Sequence, residues 1–322
     1  MVKKLVIFFL TFVVLYVFNF FVPRLMPGDP FSFSDYTSSS DTANLLSDAQ
    51  KEKLMEYYGF DQPLGIQFVT TVRQNLSGDF GMSTYYKKPV WDAVVGKLGW
   101  SLYIMGTTLV LSLVFGVGLA LLGLQRKRLD MAIYSVMSVL AETPAFLVGI
   151  ALLFLVAAKV KFIPISGAYT NFGQFDNIWQ QGVDILLHSL MPISAMVLVT
   201  TPLFYVTARS SFLSVLEKRY MLTAKAKGLS GSRVRRRYIL LNGMMPVVAR
   251  FFLSVGSCVG ATLLIENVFA YPGLGKLMRD AVQYRDYPLI QGVFLLVTTF
   301  VLVCSFASDL IGSKVDKSHA SE

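Results

Sequence analysis

In this chain of 322 residues, hydrophobic side chains make up 54% and charged ones 15%, a balance that excludes an ordinary soluble globular domain. The formal net charge is +9, but no basic and aromatic patch stands apart from the apolar blocks, which argues against a nucleic-acid binder. The two cysteines, Cys258 and Cys304, both fall within apolar blocks and have no metal-ligand spacing, so neither a disulfide framework nor a zinc site is expected.

Six blocks qualify as membrane spans: Leu5 to Val22, Trp100 to Leu124, Met131 to Ala158, Ile185 to Ala208, Met244 to Ile265, and Pro288 to Ser308. Each is near or above the ~20 residues a helix needs to cross a bilayer core. The expected fold class is therefore an all-α membrane protein with six transmembrane helices. Lys3 and Lys4 precede the first block as in a signal peptide. The apolar run is longer than a usual signal core, however, and ends at Phe20-Phe21-Val22-Pro23 without a small-residue cleavage site, so an uncleaved first helix is expected.

Residues 26–99 form the sizeable aqueous region. The polar run from Ser32 to Asp41 is too poor in apolar residues to pack alone. Ser47 with Gln50 reads as a capping box for a helix through Tyr58, stopped by Gly59. A second helix is expected from Pro63 to Leu76, with Ile66, Val69 and Val72 on one side and a stop at Gly78. Together they make a small helical external region, too short in core residues to be an enzyme domain.

Within the third block, Glu142-Thr143-Pro144 places a carboxylate at membrane depth, which is costly unless it faces water or a basic partner. Pro144 also frees the carbonyl of Leu140. Two roles stand open for Glu142: facing a substrate pathway, or a structural role as a neutral acid or in a pair with Arg250. His188, near the outer end of the fourth block, reads as an interfacial hydrogen-bonding group more than as a metal ligand. Arg250 and Glu266 are 16 residues apart on one helix, about 24 Å, so they cannot pair within it. Gly256 and Gly260 form a G-x-x-x-G pattern that permits close helix approach, within the chain or to a partner.

Between the fourth and fifth blocks, Arg209 to Gly243 carries nine Lys or Arg and one acid, Glu217. At its centre, Thr223-Ala224-Lys225-Ala226-Lys227-Gly228-Leu229 favours a helix that stops in a left-handed turn at Gly228. Charge alone would make this loop only an orientation signal. With the N-terminus inside, the inner segments hold sixteen basic residues against four acids and the outer segments twelve against thirteen, so both termini are expected inside.

Several runs resemble one family. The basic loop is similar to that of permease subunits of binding-protein-dependent ABC importers, in which a short helix ended by glycine seats in a cleft of the ATPase. The runs Leu25-Met26-Pro27-Gly28-Asp29-Pro30, Tyr58-Gly59-Phe60-Asp61-Gln62-Pro63-Leu64 and Gly78-Asp79-Phe80-Gly81-Met82-Ser83 resemble the external region of the B-type permease of dipeptide, oligopeptide and nickel importers. So do Glu266-Asn267-Val268-Phe269-Ala270-Tyr271-Pro272-Gly273-Leu274-Gly275 and Arg285-Asp286-Tyr287-Pro288-Leu289-Ile290-Gln291-Gly292. Two positions depart from the pattern: Leu222 stands where a glutamate begins the coupling motif, and Asn242 replaces a proline.

The resemblance implies a type I ABC importer permease fold, divided as a first transmembrane helix (1–25), an external region (26–99), a five-helix core (100–311) containing the coupling loop 209–243, and a tail (312–322). It implies ATPase coupling through Tyr220, Thr223, Ala224, Lys225, Ala226, Lys227, Gly228 and Leu229. Translocation-pathway candidates are Glu142, Pro144, Arg250 and Glu266, and the turn from Tyr271 to Gly275 is expected near the outer mouth. The implied partners are a C-type permease, two cytoplasmic ABC ATPases and an extracellular or periplasmic substrate-binding protein, in a bacterial or archaeal cytoplasmic membrane.

No G-x-x-x-x-G-K-[ST] run occurs, since Gly275-Lys276 is followed by Leu277 and preceded by Ala270 where the first glycine should stand. ATP and Mg are therefore expected on the partner ATPases, with no cofactor and no catalytic residue in this chain. Di- and oligopeptides are the expected cargo, with nickel or a metal chelate as the alternative. An ATPase-independent channel or an intramembrane enzyme is the reading from another class, though neither charge rings nor paired catalytic groups are visible in the spans.

Overall fold

A computed structural model describes residues 2–26, 48–160, 162–170, 173, 175 and 177–319. The run 27–30, the polar stretch 32–41 and the capping residue Ser47 lie outside the described residues, as does the side chain of Lys225. The regular structure of the described residues is helical apart from one isolated antiparallel bridge, Met82 to Pro89.

Helix α1 spans Val2–Arg24, and two short helices follow, α2 (Asp48–Tyr58) and α3 (Leu64–Leu76). Gly59 and Gly78 stop them in left-handed conformations, with φ of 67° and 82°, as their sequence positions predict. Pro63 sits just before α3, where a missing N–H costs nothing. The side of α3 bearing Ile66 and Val69 does not pack inward: Ile66 is 53% and Val69 65% exposed.

The spans then unfold in order as α4 (Val90–Gly123), α5 (Lys127–Ala141), α6 (Ala145–Leu152, continued by a π turn over Leu153–Ala157) and α7 (Ile178–Leu216). Helices α8 (Arg219–Ala226) and α9 (Gly231–Val234) follow. A π segment, Arg235–Leu240, joins α9 to α10 (Leu241–Val268), and α11 (Leu274–Gln283) and α12 (Tyr287–His319) complete the chain. Among the described residues, five helices are long and apolar enough to cross a membrane. A sixth span is counted if α5 and the α6 segment, bent by 99°, are taken as one. Met131 to Ala158 is thus broken and not one straight span.

Helices also outrun their apolar blocks. Helix α4 begins ten residues before Trp100, immediately after Pro89, and α7 runs from the Asn177 cap to Leu216. Asn177 Oδ1 accepts from Gln180 N at 2.9 Å, a side-chain cap that lets the helix start seven residues before Ile185.

By its contacts the chain divides into two compact units, Met1–Gly99 with Lys276–Phe300, and Trp100–Gly275 with Val301–Glu322. The first is organised on Asp286, which is fully buried. Its carboxylate accepts from the Ser83 hydroxyl, from Tyr85 N at 3.1 Å and from Leu289 N at 3.1 Å, so it also caps α12. Around it Phe60 packs edge-on to Tyr287, with centroids 5.5 Å apart, and Gly81 lies against Pro288. Tyr86 donates to Asp280 at 2.8 Å, and burial and then that carboxylate hold its phenol well above the usual tyrosine range. In the second unit a buried cluster of Ile104, Ala168, Ile193 and Tyr271 forms a core, and Gly116 lets α4 approach α7 where a Cβ would meet Phe204 at 2.6 Å.

Asp286→Ala removes a helix cap and leaves the Ser83 hydroxyl and Tyr85 N–H without their acceptor. It is expected to lower stability by about 3 kcal/mol, read as a drop in unfolding temperature of the detergent-solubilised protein, with Asp286→Asn in between.

Candidate functional site

The basic segment folds as a tip on two long helices. Arg209 to Leu216 is still helix α7, so the connecting structure is shorter than the sequence loop. Ser211 Oγ donates to Gly243 O at 2.9 Å, and a Cβ on Gly243 would sit 2.5 Å from the Phe212 ring. The end of α7 and the start of α10 therefore touch through a glycine that no larger residue replaces without displacement.

Helix α8 is the tip. Met221 and Ala224, one turn apart, are buried at 1% and 2%, while Leu222 is 70% exposed and Thr223, Ala226 and Lys227 are exposed beside it. Tyr220 is 39% exposed and Leu229 half-buried. Gly228 has φ 63°, and Leu229 N donates to Ala224 O at 3.4 Å, the six-to-one bond of a helix closed by a left-handed residue. Leu222, which stands where the importer pattern has a glutamate, puts an exposed apolar side chain beside Thr223 where the pattern has charge. Asn242, the other departure, donates from Nδ2 to Tyr238 O at 2.7 Å and so satisfies a carbonyl at the exit from the π segment.

One of the nine basic residues is committed inside the chain. Arg209 makes a two-pronged contact with Asp130, Nε to Oδ1 at 2.6 Å and Nη2 to Oδ2 at 2.5 Å, and Tyr205 OH adds a longer bond at 3.3 Å. This ties the first turn of α5 to α7, a pairing that residue types alone could not assign.

At the far end of α5 lies the break. Glu142 is the C-cap of α5, with φ −90° and ψ −5°, and Pro144, with ψ 133°, precedes α6. The carbonyl freed by Pro144 is taken: Leu140 O accepts from Thr143 N at 3.2 Å. Glu142 is exposed, and no ion pair joins it to Arg250 among the described residues. Arg250 is half-buried on α10 with its Nε buried and without a hydrogen-bond partner.

Glu266 occupies a different setting. It is fully buried, its Oε1 accepts from Ser101 Oγ at 2.6 Å and its Oε2 from Gly275 N at 2.5 Å, while Ser101 Oγ accepts from Leu274 N at 2.8 Å. A Cβ on Gly273 would fall on the carboxylate, and one on Gly275 would fall on Leu263 O. The spacing of Glu266 and the two glycines is thus the imprint of one side chain folded under its own turn. Tyr271 is fully buried and Leu274 only 4% exposed, so neither offers a surface to a soluble partner.

His188 is 6% exposed, with Nδ1 2.8 Å from Asp184 O, and Asp184 holds the loop through Thr170 N at 2.7 Å and Thr170 Oγ1 at 2.6 Å. Its neighbours give it a structural position, but ten residues inside α7 and not at the helix entrance that the apolar block suggests. Of the G-x-x-x-G pair, Gly256 packs within the chain, where a Cβ would meet Val301 at 3.2 Å, and Gly260 has open space.

These features define a multi-pass helical membrane protein with a short glycine-ended helix at its basic tip and a broken span beside a buried carboxylate latch. The chain belongs to the binding-protein-dependent transport system inner membrane component family, whose model matches residues 94–319. It is a transport component of the ABC permease type. It is similar to AppB, the oligopeptide transport system permease protein of Bacillus subtilis strain 168, at 30% identity over 305 residues, covering 93% of this chain and 92% of that one. It is also similar to GsiC, the glutathione transport system permease protein of Escherichia coli strain K12, at 29% identity over 318 residues, with 98% and 96% covered. A crystal structure of an amino acid ABC transporter with histidines aligns with a TM-score of 0.47 at 13% identity, over 70% of this chain and 94% of that chain.

Glu266→Gln keeps the shape of the latch but sets an amide where two donors converge. It is expected to cost about 3 kcal/mol, seen as a lower unfolding temperature and reduced yield, and Gly273→Ala should do the same because its methyl displaces the carboxylate.

Proposed function

We propose that this chain is the B-type permease subunit of a type I ABC importer, pairing with a C-type permease to form the translocation pathway for di- and oligopeptides. Two cytoplasmic ATPases, binding ATP and Mg, supply the energy, and an extracellular or periplasmic binding protein delivers the cargo. Family membership carries the importer reading, and it weighs against an ATPase-independent channel or an intramembrane enzyme. The oligopeptide and glutathione relatives support peptide cargo over nickel or a metal chelate. The balance of basic residues supports cytoplasmic termini and a tip at 209–243 facing the cytoplasm of a bacterial or archaeal cell. The division into a first helix (1–25), an external region (26–99), a core (100–311) and a tail (312–322) is part of the same reading.

Helix α8 is the coupling element, with Tyr220, Thr223, Ala224, Lys225, Ala226, Lys227, Gly228 and Leu229 at the ATPase contact. Its buried side, Met221 and Ala224, would pass a push into the tip, and the Gly243 contact with Phe212 would pass it to α7 and α10. The Arg209 pair with Asp130 carries movement of α7 into α5, which ends in the break at Glu142 to Pro144. A helix pair already bent by 99° has a place to change angle without losing a run of hydrogen bonds. Glu142 and Pro144 at that break, with Arg250, are the pathway residues of this proposal. Glu266 contributes to the pathway by holding the turn that ends α10.

Gly228→Val tests the coupling assignment, because a Cβ there meets nothing within 4 Å and only the backbone conformation is penalised. The cost of about 1–2 kcal/mol for a left-handed β-branched residue is expected to leave membrane insertion normal. Uptake should fall severalfold relative to ATP hydrolysis, and Gly228→Asn should be milder. Normal transport by the valine variant would remove the assignment. Glu142→Gln is expected to lower uptake of peptides with a free amino terminus while ATPase assembly is unchanged. Equal uptake of cationic and neutral peptides by both forms would assign Glu142 a structural role.

A further inference from the structure

Helix α3 is amphipathic in the sense opposite to that of an aqueous cap. Its polar residues Gln67, Thr70, Thr71, Gln74 and Asn75 line a cavity of about 410 Å³ within the first unit, shared with Arg24 of α1 and Gln291 of α12. Its most exposed apolar residues face out: Val69 is 65% and Leu76 84% exposed, and with Phe68, Val72 and Arg73 they line a shallow groove. In water this arrangement would expose the face a soluble helix buries.

The depth of α3 follows from α1. The apolar block Leu5 to Val22 is 18 residues, about 27 Å at 1.5 Å per residue, so it fills a hydrocarbon core of about 30 Å with nothing to spare. Tyr16 therefore lies about 9 Å below the Val22 end. Asn75 donates to Tyr16 OH at 2.8 Å, and Phe68 packs against Tyr16 and Phe20 with centroids 6.2 and 5.0 Å away. At the other end Gln67 accepts from Arg24 Nε at 2.9 Å, and the Arg24 guanidinium folds down to lie 3.7 Å over the Phe20 ring. Together these contacts set α3 beside residues 16–24 of α1, from about 9 Å below the Val22 end of its apolar block to about 3 Å beyond it.

We propose that α3 is embedded in one leaflet of the bilayer, the outer one on the orientation above, with its Ile66, Val69 and Leu76 face against phospholipid acyl chains. The exposed apolar surface of α1, including Val14 at 65% and Phe18 at 66%, continues at the same depth, so the two helices present one lipid-facing surface. Arg73 lies within this face, lining the same groove as Val69 and Leu76, and its side chain is long enough to carry its charge toward the headgroups. The polar face of α3 then screens a polar cavity from lipid. The region between the first two spans is in this respect part of the membrane domain and not only a cap upon it. The depth of α3 is independent of the cargo, while the choice of leaflet rests on the orientation proposed above.

Nitroxide labels tell lipid from water and from protein. In the full-length chain assembled with its partners and reconstituted in phosphatidylcholine and phosphatidylglycerol vesicles, with Cys258 and Cys304 replaced by alanine, labels go on Val69→Cys, Leu76→Cys and, for comparison, Asp61→Cys. Positions 69 and 76 are exposed, so the label itself should not disturb packing. Collision with oxygen is expected to exceed collision with a water-soluble nickel chelate severalfold at 69 and 76, and the order is expected to reverse at 61. Nickel-dominated collision at 69 and 76 would put α3 in water and overturn the proposal. Low collision with both reagents would mean that a protein partner covers this face, and would overturn it equally.

Discussion

The carboxylate of Glu266 is the contact on which the second unit turns. A carboxyl group that is fully enclosed among apolar helices is tolerated only when its oxygens are satisfied, and here Ser101 and the backbone of Gly275 satisfy them. The consequence reaches past one side chain. Ser101 belongs to α4, and its hydroxyl also receives Leu274 N, so α4, the end of α10 and the following turn share one short chain of hydrogen bonds. Tyr271 in that turn packs edge-on against Trp100, and Gly149 of α6 lies where a Cβ would strike Ile265 at 2.8 Å. The two glycines of the turn are absent of side chains for a physical reason, since the carboxylate and Leu263 O fill the space.

The tip of the same unit uses a different economy. The nine basic residues are interleaved with apolar ones, of which Phe212, Met221 and Ile239 are buried, and the helices are also held by one close backbone approach at Gly243 and by the Asp130 contact of Arg209. Such partly exposed pairs contribute modestly to stability, on the order of 1 kcal/mol. Their value here is geometric, because a forked guanidinium fixes the angle at which α5 leaves α7. The break at Glu142 to Pro144 then sits on a helix whose other end is anchored, which is the condition for a bend to move as a hinge.

Asp286 gives the first unit the same kind of organisation. Three separate runs of the sequence that resemble the B-type permease, those at 58–64, 78–83 and 285–292, converge around it through Ser83, Phe60 and Gly81. Residues that look unrelated along the chain are therefore one folded structure, and their joint presence in a sequence is a sign of that structure.

The sequence by itself determined the membrane class, the helical content, the left-handed stops at Gly59, Gly78 and Gly228, and the family. These depend on local composition and backbone sterics, which act over a few residues. Only the tertiary structure decided that the third span is bent, because proline permits a kink but packing chooses its angle. Only it showed that Arg209 is paired with Asp130, that no ion pair joins Glu142 to Arg250 among the described residues, and that the apolar side of α3 faces outward. Each of these is a contact, or a missing contact, between residues far apart in the chain. Periodicity reveals that a helix has an apolar face, but it carries no information on whether that face meets protein or lipid.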